Sequence, residues 1–268
     1  MNFYQEQFLQ RDFHNISELE VNTIRQQLPD KQYYEFLYHA WFNNRLSDVE
    51  KFFTDWIPSD EWTYPVDDCV RFRTLLLDNK QFIRDKCILE IGSHLGYIPL
   101  FCMNMGAKFV TGIEPRTNKQ KLSEFICKQA GYTNFLFTSG STHDANFITG
   151  NPDTVILSAL IYHVADHYTV LKKISTSSAS CLIIENRERE HIKHSATPDI
   201  DWRIEHLEPD SDNGWHYNHK KFLTGTPNQV WLDCALEELG WHKHSQKEFC
   251  MKTHTDKIKQ MTTSVWTR

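Results

Sequence analysis

Two rhythms divide the chain. Through about residue 83, apolar positions recur at three- and four-residue spacing, and no glycine occurs before Gly92. Residues 1–56 therefore predict helices. Ser17 with Glu20 forms a capping-box pattern before "ELEVNTIRQQL", "KQYYEFLYHAWFNNRL" follows, and Ser47 with Glu50 opens "DVEKFFTDWI". A loop, "PSDEWTYP" (58–65), and a further helix, "DDCVRFRTLLLDNKQFI", complete this half. From Cys87 the rhythm becomes short apolar runs alternating with amphipathic segments. Strands are predicted at 87–91, 108–113, 134–138, 153–158 and 180–185, with helices at 97–105, 117–130 and 166–175. Gly106 and Gly131 stand where helices should end. A long polar stretch, 186–226, precedes a helix at 227–240 and two last strands, 243–250 and 261–267.

Near-continuous apolar strands joined by helices imply βαβ units, and so a mostly parallel sheet covered on both faces. The predicted fold is α/β: seven strands, helices on both faces and an N-terminal helical appendage. The divisions are 1–78 as a helical cap and 79–268 as the α/β domain, with 186–226 as an insertion on the substrate side.

Composition narrows the functional classes. The chain is 40% hydrophobic and 13% aromatic, sufficient for a large core. Its net charge of -6 argues against affinity resting mainly on phosphate neutralisation. Seven cysteines, an odd number without a CxxC, read as buried reduced thiols. No apolar run is long enough for a membrane span and the N-terminus lacks a signal-peptide pattern, so the expectation is a cytoplasmic protein without membrane contact. Of fourteen histidines, the pairs His163/His167, His191/His194 and His216/His219 lack a cysteine or acidic companion at metal-ligand spacing, so no metal is expected.

The chemistry concentrates in "CILEIGSHLGYIPL", residues 87–100. A buried strand ends on Glu90, and Gly92 and Gly96 then bare the backbone. Open parallel sheets bind ligands at the carboxyl ends of their strands. The spacing is not G-x-G-x-x-G, and Glu90 would repel a pyrophosphate; the absence of G-K-[ST] excludes a P-loop. A nucleoside with a positive end and no phosphate fits better. S-adenosylmethionine is such a molecule: Glu90 suits its ammonium, and Glu114, ending "VTGIE", suits its ribose hydroxyls.

"ILEIGSHLGYIPL", "VTGIEP" and "DTVILSALIYHVADHYTVLKKI" resemble, in order and spacing, the motifs of class I S-adenosylmethionine-dependent methyltransferases. The resemblance covers about 87–186. It implies a Rossmann-like sheet and S-adenosylmethionine as cofactor. Carried over, Glu90, Gly92, Ser93 and Gly96 hold the methionine part, Glu114 the ribose, and Thr138 with Ser139 frames the adenine. Ser158 then lines the junction of cofactor and acceptor, and Tyr162 and His163, following strand four, are the candidate catalytic pair. In two places the chain departs from the family pattern. His94 stands where the loop's middle glycine is usual, and "TSGS" replaces an acid after strand three. The glycine loop with "EP" looks like the FkbM-type group, whereas "IYHVADH" looks like the small-molecule group and the transferase finishing wobble-uridine oxyacetate in tRNA.

The reading is a methyltransferase acting on a small-molecule acceptor, with RNA as the alternative acceptor and a non-catalytic cofactor-binding partner domain as a second alternative. Bland readings compete at single residues. Tyr162 can simply pack and His163 cap the next helix; "RERE" (187–190) and "HKK" (219–221) can be solvated faces. Trp202, Trp215 and Tyr217 either anchor their polar segment or line a pocket. Arg187, Arg189 and Arg203 are there to orient a polar acceptor, and Trp62 and Tyr64 could close over the same edge.

Overall fold

The computed structural model describes residues 71, 74–94, 96–129, 131–142, 148, 150–187, 192, 195–206, 221–252 and 258–268. The helices expected in 1–56, the loop carrying Trp62 and Tyr64, Cys69, Arg189, Trp215, Tyr217 and the histidines 191, 194, 216 and 219 lie outside them.

The expected alternation forms one sheet. Its strands are β1 (Cys87–Ile91), β2 (Phe109–Ile113), β3 (Phe135–Thr138), β4 (Thr154–Ser158), β5 (Cys181–Arg187), β8 (His242–Lys252) and β9 (Ile258–Thr267), in the order β3-β2-β1-β4-β5-β9-β8. The first five run parallel; β9 pairs antiparallel with both β5 and β8. Helices α1 (Tyr97–Asn104), α2 (Thr117–Gln129), α3 (His167–Ser175) and α4 (Gln229–Glu238) make the connections. Strand order reverses between β1 and β4, which opens a crevice at their carboxyl ends.

The register divides the sheet's side chains between two faces. Leu89, Val155, Leu182 and Trp266 share a core with Val170, Leu171 and Ile174 of α3 and Leu232 and Leu236 of α4. Trp241, fully buried there, donates its indole N–H to Ser175 Oγ at 2.7 Å, so its polar atom is satisfied. The other face carries Ile88, Glu90, Ile156, Ser158, Ile183 and Glu185 in adjacent rows. It is covered by α1 and by the segment ahead of β1, where Thr154 donates to the Phe82 carbonyl at 2.6 Å. Four of the six described cysteines are buried or half-buried, and burial lifts the thiols of Cys127 and Cys181 to about 12. Cys234 and Cys250 are exposed, against the expectation of burial: each sits on the outward row of an amphipathic element. No helix among the described residues is long and apolar enough to cross a membrane.

Two elements differ from the sequence-based expectation. The helix predicted up to residue 83 becomes a 3-10 turn over Leu77–Phe82. Asn79 leaves helical geometry there, and its side-chain amide donates to the carbonyls of Thr74 and Leu75 at 2.8 and 3.2 Å, terminating the helix from within. The polar stretch 186–226 contains two strands, β6 (Ile200–His206) and β7 (Lys221–Pro227), paired as a separate antiparallel ribbon. "IDWRI" alternates apolar and charged residues, a strand pattern that its charges conceal in a scan for apolar runs. Trp202, Ile204 and Leu223 are exposed on one side of the ribbon. On the other, Arg203 donates to Thr224 Oγ1 and to the Tyr162 carbonyl, both at 3.2 Å, and so ties the ribbon to the turn after β4.

Candidate active site

At the carboxyl end of β1 the backbone must reverse within a few residues. The amides of Gly92 and Ser93 donate to the Ile113 carbonyl at 2.8 and 2.9 Å, which staples the loop to β2. Gly92 and Gly96 both have positive φ. A Cβ at Gly96 would stand 2.6 Å from Ser123 Cβ, so only glycine fits this meeting of loop and α2. His94, the departure from the family pattern, adopts φ 49°, a left-handed conformation that histidine tolerates better than most residues. That turns its amide toward Glu114, to which it donates at 2.9 Å.

Three acids are buried at this edge: Glu90, Glu114 and Glu185. Each meets a different environment. Glu185 is held by the guanidinium of Arg71, whose Nε lies 2.9 and 2.8 Å from its two oxygens, and it also accepts from Ser158 Oγ at 3.0 Å. Arg71 Nη2 donates to Ser158 Oγ at 2.8 Å, closing a buried triangle. Glu114 accepts the amides of His94 and Arg116 and two further N–H groups from the Arg116 side chain. Glu90 differs: among the described residues its buried Oε2 has no hydrogen-bond partner, nor has the hydroxyl of Ser93. Burial pushes the Glu90 carboxyl well above the ordinary carboxylate range. Arg71 opposes that shift, and Glu114 and Glu185 reinforce it. A carboxyl so placed, three residues before an unpartnered hydroxyl, is suited to receiving a cationic or hydrogen-bond-donating group.

The other expected residues fall as follows. Ser139 is exposed just beyond β3. Ser158 faces the crevice side of β4, with its hydroxyl engaged by Arg71 and Glu185. Tyr162 and His163 lie side by side in the short turn Ile161–His163, ring centroids 4.6 Å apart and tilted by 49°. Tyr162 packs against the core beneath α3. The cap of α3 is Asp166, which accepts from the Thr169 amide at 3.1 Å, and not His163. His167 is buried between Trp202 and Trp231, with Nε2 2.8 Å from the Gly225 carbonyl. A carbonyl only accepts, so Nε2 carries the proton; burial lowers this histidine's pKa despite that bond. Among the described residues, no three His, Cys, Asp or Glu side chains gather as metal ligands would.

Arg71, Glu185 and Arg116 were not anticipated. Glu185 closes "CLIIE" as Glu90 closes "CILE", so the same signal marks both. Arg71 carried a weaker mark, one of two arginines, with Arg73, interrupting the apolar run of the predicted helix.

No protein-family model matches the sequence, and no curated protein matches it. Solved structures do match in shape. A candidate S-adenosylmethionine-dependent methyltransferase from Listeria monocytogenes superposes with a TM-score of 0.56 at 13% identity, covering 76% of this chain and 99% of that one. A candidate RNA methyltransferase from Pyrococcus horikoshii gives 0.54 at 12%, covering 84% and 96%. Magnesium protoporphyrin IX methyltransferase from Synechocystis, solved with S-adenosylmethionine bound, gives 0.50 at 12%, covering 89% and 97%. The chain therefore has the Rossmann-like fold of the class I methyltransferases.

Proposed function

We propose that this chain is an S-adenosylmethionine-dependent methyltransferase acting on a small-molecule acceptor. One observation carries the reading: on a sheet of this fold, the buried unpartnered Glu90 Oε2 stands at the end of β1, beside the positive-φ glycine loop and the unpartnered Ser93 hydroxyl. Those groups fit a zwitterionic amino-acid moiety. Glu90 takes the ammonium, the Gly92–Gly96 turn admits the chain, and Glu114, just past β2, takes the ribose diol. Ser139 lies on the adenine side.

When bound, the cofactor supplies a methyl group on a sulfonium, transferred in line with loss of a neutral thioether. The protein's share is alignment, which can contribute roughly 7–11 kcal/mol. Tyr162 and His163 flank the acceptor's approach at the end of β4, and a hydroxyl acceptor gives its proton to the His163 imidazole. The insertion 186–226 supplies the acceptor side: Arg203 ties the β6–β7 ribbon to that turn, and Trp202 and Ile204 stand exposed on the ribbon's opposite side. An exposed apolar surface suits a metabolite better than a polyanion.

Calorimetric titration with S-adenosylhomocysteine tests the cofactor assignment. Wild type should bind, and Glu114→Ala should lose roughly 10- to 150-fold, the equivalent of about 1.5–3 kcal/mol for a charged hydrogen-bonding partner. Unchanged affinity in the variant removes the ribose assignment. Methyl incorporation into total RNA, with none into a metabolite extract, would move the acceptor to RNA; incorporation into neither would favour a non-catalytic partner domain.

A further inference from the structure

An ionised carboxylate offers about four lone-pair sites, two on each oxygen. The structure fills all four at Glu114 from within the chain. Oε1 accepts the Arg116 amide at 3.1 Å together with Arg116 Nε, and Oε2 accepts the His94 amide at 2.9 Å together with Arg116 Nη2 at 3.1 Å. Two of these donors are backbone groups fixed by the glycine loop and by the turn after β2. The other two belong to one guanidinium, which grips both oxygens side-on. Glu114 itself is almost completely buried, whereas the Arg116 side chain is 19% exposed. The seats a diol would use are thus taken by a side chain that has a route to solvent.

We propose that Arg116 is a specificity-determining latch on Glu114, which a ligand opens only by presenting two vicinal hydroxyls. This rests on the reading of Glu114 as the ribose acid. The physical argument is a count of donors. A guanidinium that bridges both oxygens can be replaced without loss only by a pair of donors spaced to reach both oxygens at once. A ribose diol provides that pair. A 2′-deoxyribose provides a single hydroxyl: it displaces one N–H, leaves the other oxygen to a guanidinium pulled off its geometry, and so competes poorly. The backbone amides of His94 and Arg116 stay in place throughout, so the carboxylate is never without partners while the exchange occurs. Arg116 thereby weakens every ligand of this site, and weakens ligands lacking the diol the most.

The test titrates S-adenosylhomocysteine and its 2′-deoxy analogue into wild type, Arg116→Ala and Arg116→Lys. Arg116→Ala should bind S-adenosylhomocysteine roughly 2- to 5-fold more tightly than wild type, the equivalent of one partly exposed ion pair. It should also gain more for the deoxy analogue, narrowing the preference for ribose. Arg116→Lys, which keeps the charge but cannot grip both oxygens, should fall between the two. Binding by wild type with no change in Arg116→Ala overturns the latch and leaves the ribose assignment standing. Weaker binding by Arg116→Ala also overturns it, since Arg116 would then hold the ligand. If wild type binds neither compound, the cofactor reading fails and the latch with it.

Discussion

Glu90→Gln isolates the electrostatics of the site in one measurement. The side chain keeps its shape, and the buried group becomes permanently neutral. In the folded chain, desolvation holds the Glu90 proton to higher pH than in the unfolded chain, where the carboxyl titrates near 4.5. Between those limits the folded state carries one more proton than the unfolded state, so raising the pH favours unfolding. One proton corresponds to a slope of at most about 1.4 kcal/mol per pH unit. The variant has no such proton to lose. Urea unfolding of both proteins from pH 5 to pH 8 should therefore show Glu90→Gln gaining on wild type as pH rises, with unchanged m-values. Parallel stability curves would refute the reasoning. A gap that moves the other way would mean that Glu90 is ionised and paired in the folded chain.

Two further outcomes follow from the packing around this carboxyl. Arg71→Ala leaves the Glu185 carboxylate buried without its cation and should cost about 3–5 kcal/mol in urea unfolding, most of it recovered by adding Glu185→Gln. A single variant within 1 kcal/mol of wild type would mean that the ion pair carries no such weight. Gly96→Ala should cost about 1–3 kcal/mol by thermal unfolding, from the left-handed backbone and the 2.6 Å approach to Ser123; adding Ser123→Gly should return only the steric part.

The sheet was legible because its signal is one of period and length. Buried parallel strands such as "CLII" and "TVILS" are apolar on both faces, and glycines mark where several of the intervening helices stop. Glu90 stood out because a carboxylate at the end of such a run is costly without a purpose. Pairing across the fold was not legible. Nothing near Arg71 indicates that its guanidinium reaches Glu185, 114 positions away, since that contact depends on how the segment before β1 lies on the sheet. The Arg116 grip on Glu114 was hidden for the opposite reason. The two are near neighbours in sequence, but a turn, and not a helix or strand periodicity, brings their side chains together. The ribbon of β6 and β7 was missed because alternation with charged residues looks like a polar connection.

The place of β9 in the sheet has a consequence for how the molecule assembles. β9 lies between β8, its close neighbour in sequence, and β5, where Cys181 pairs with Thr267 and Arg187 with Met261. The β8–β9 pairing closes a short loop, whereas joining β5 closes a long one. A hairpin forms on the scale of microseconds, and non-local strand pairing is slower. Until the hairpin docks, β5 is the open edge of a growing parallel sheet, with Leu182, Ile183 and Ile184 exposed that the finished protein buries completely. The step most open to misassembly is therefore the arrival of a preformed hairpin at β5, far along the sequence from the glycine loop. The ladder that backs Glu185 is completed only when that strand is in place.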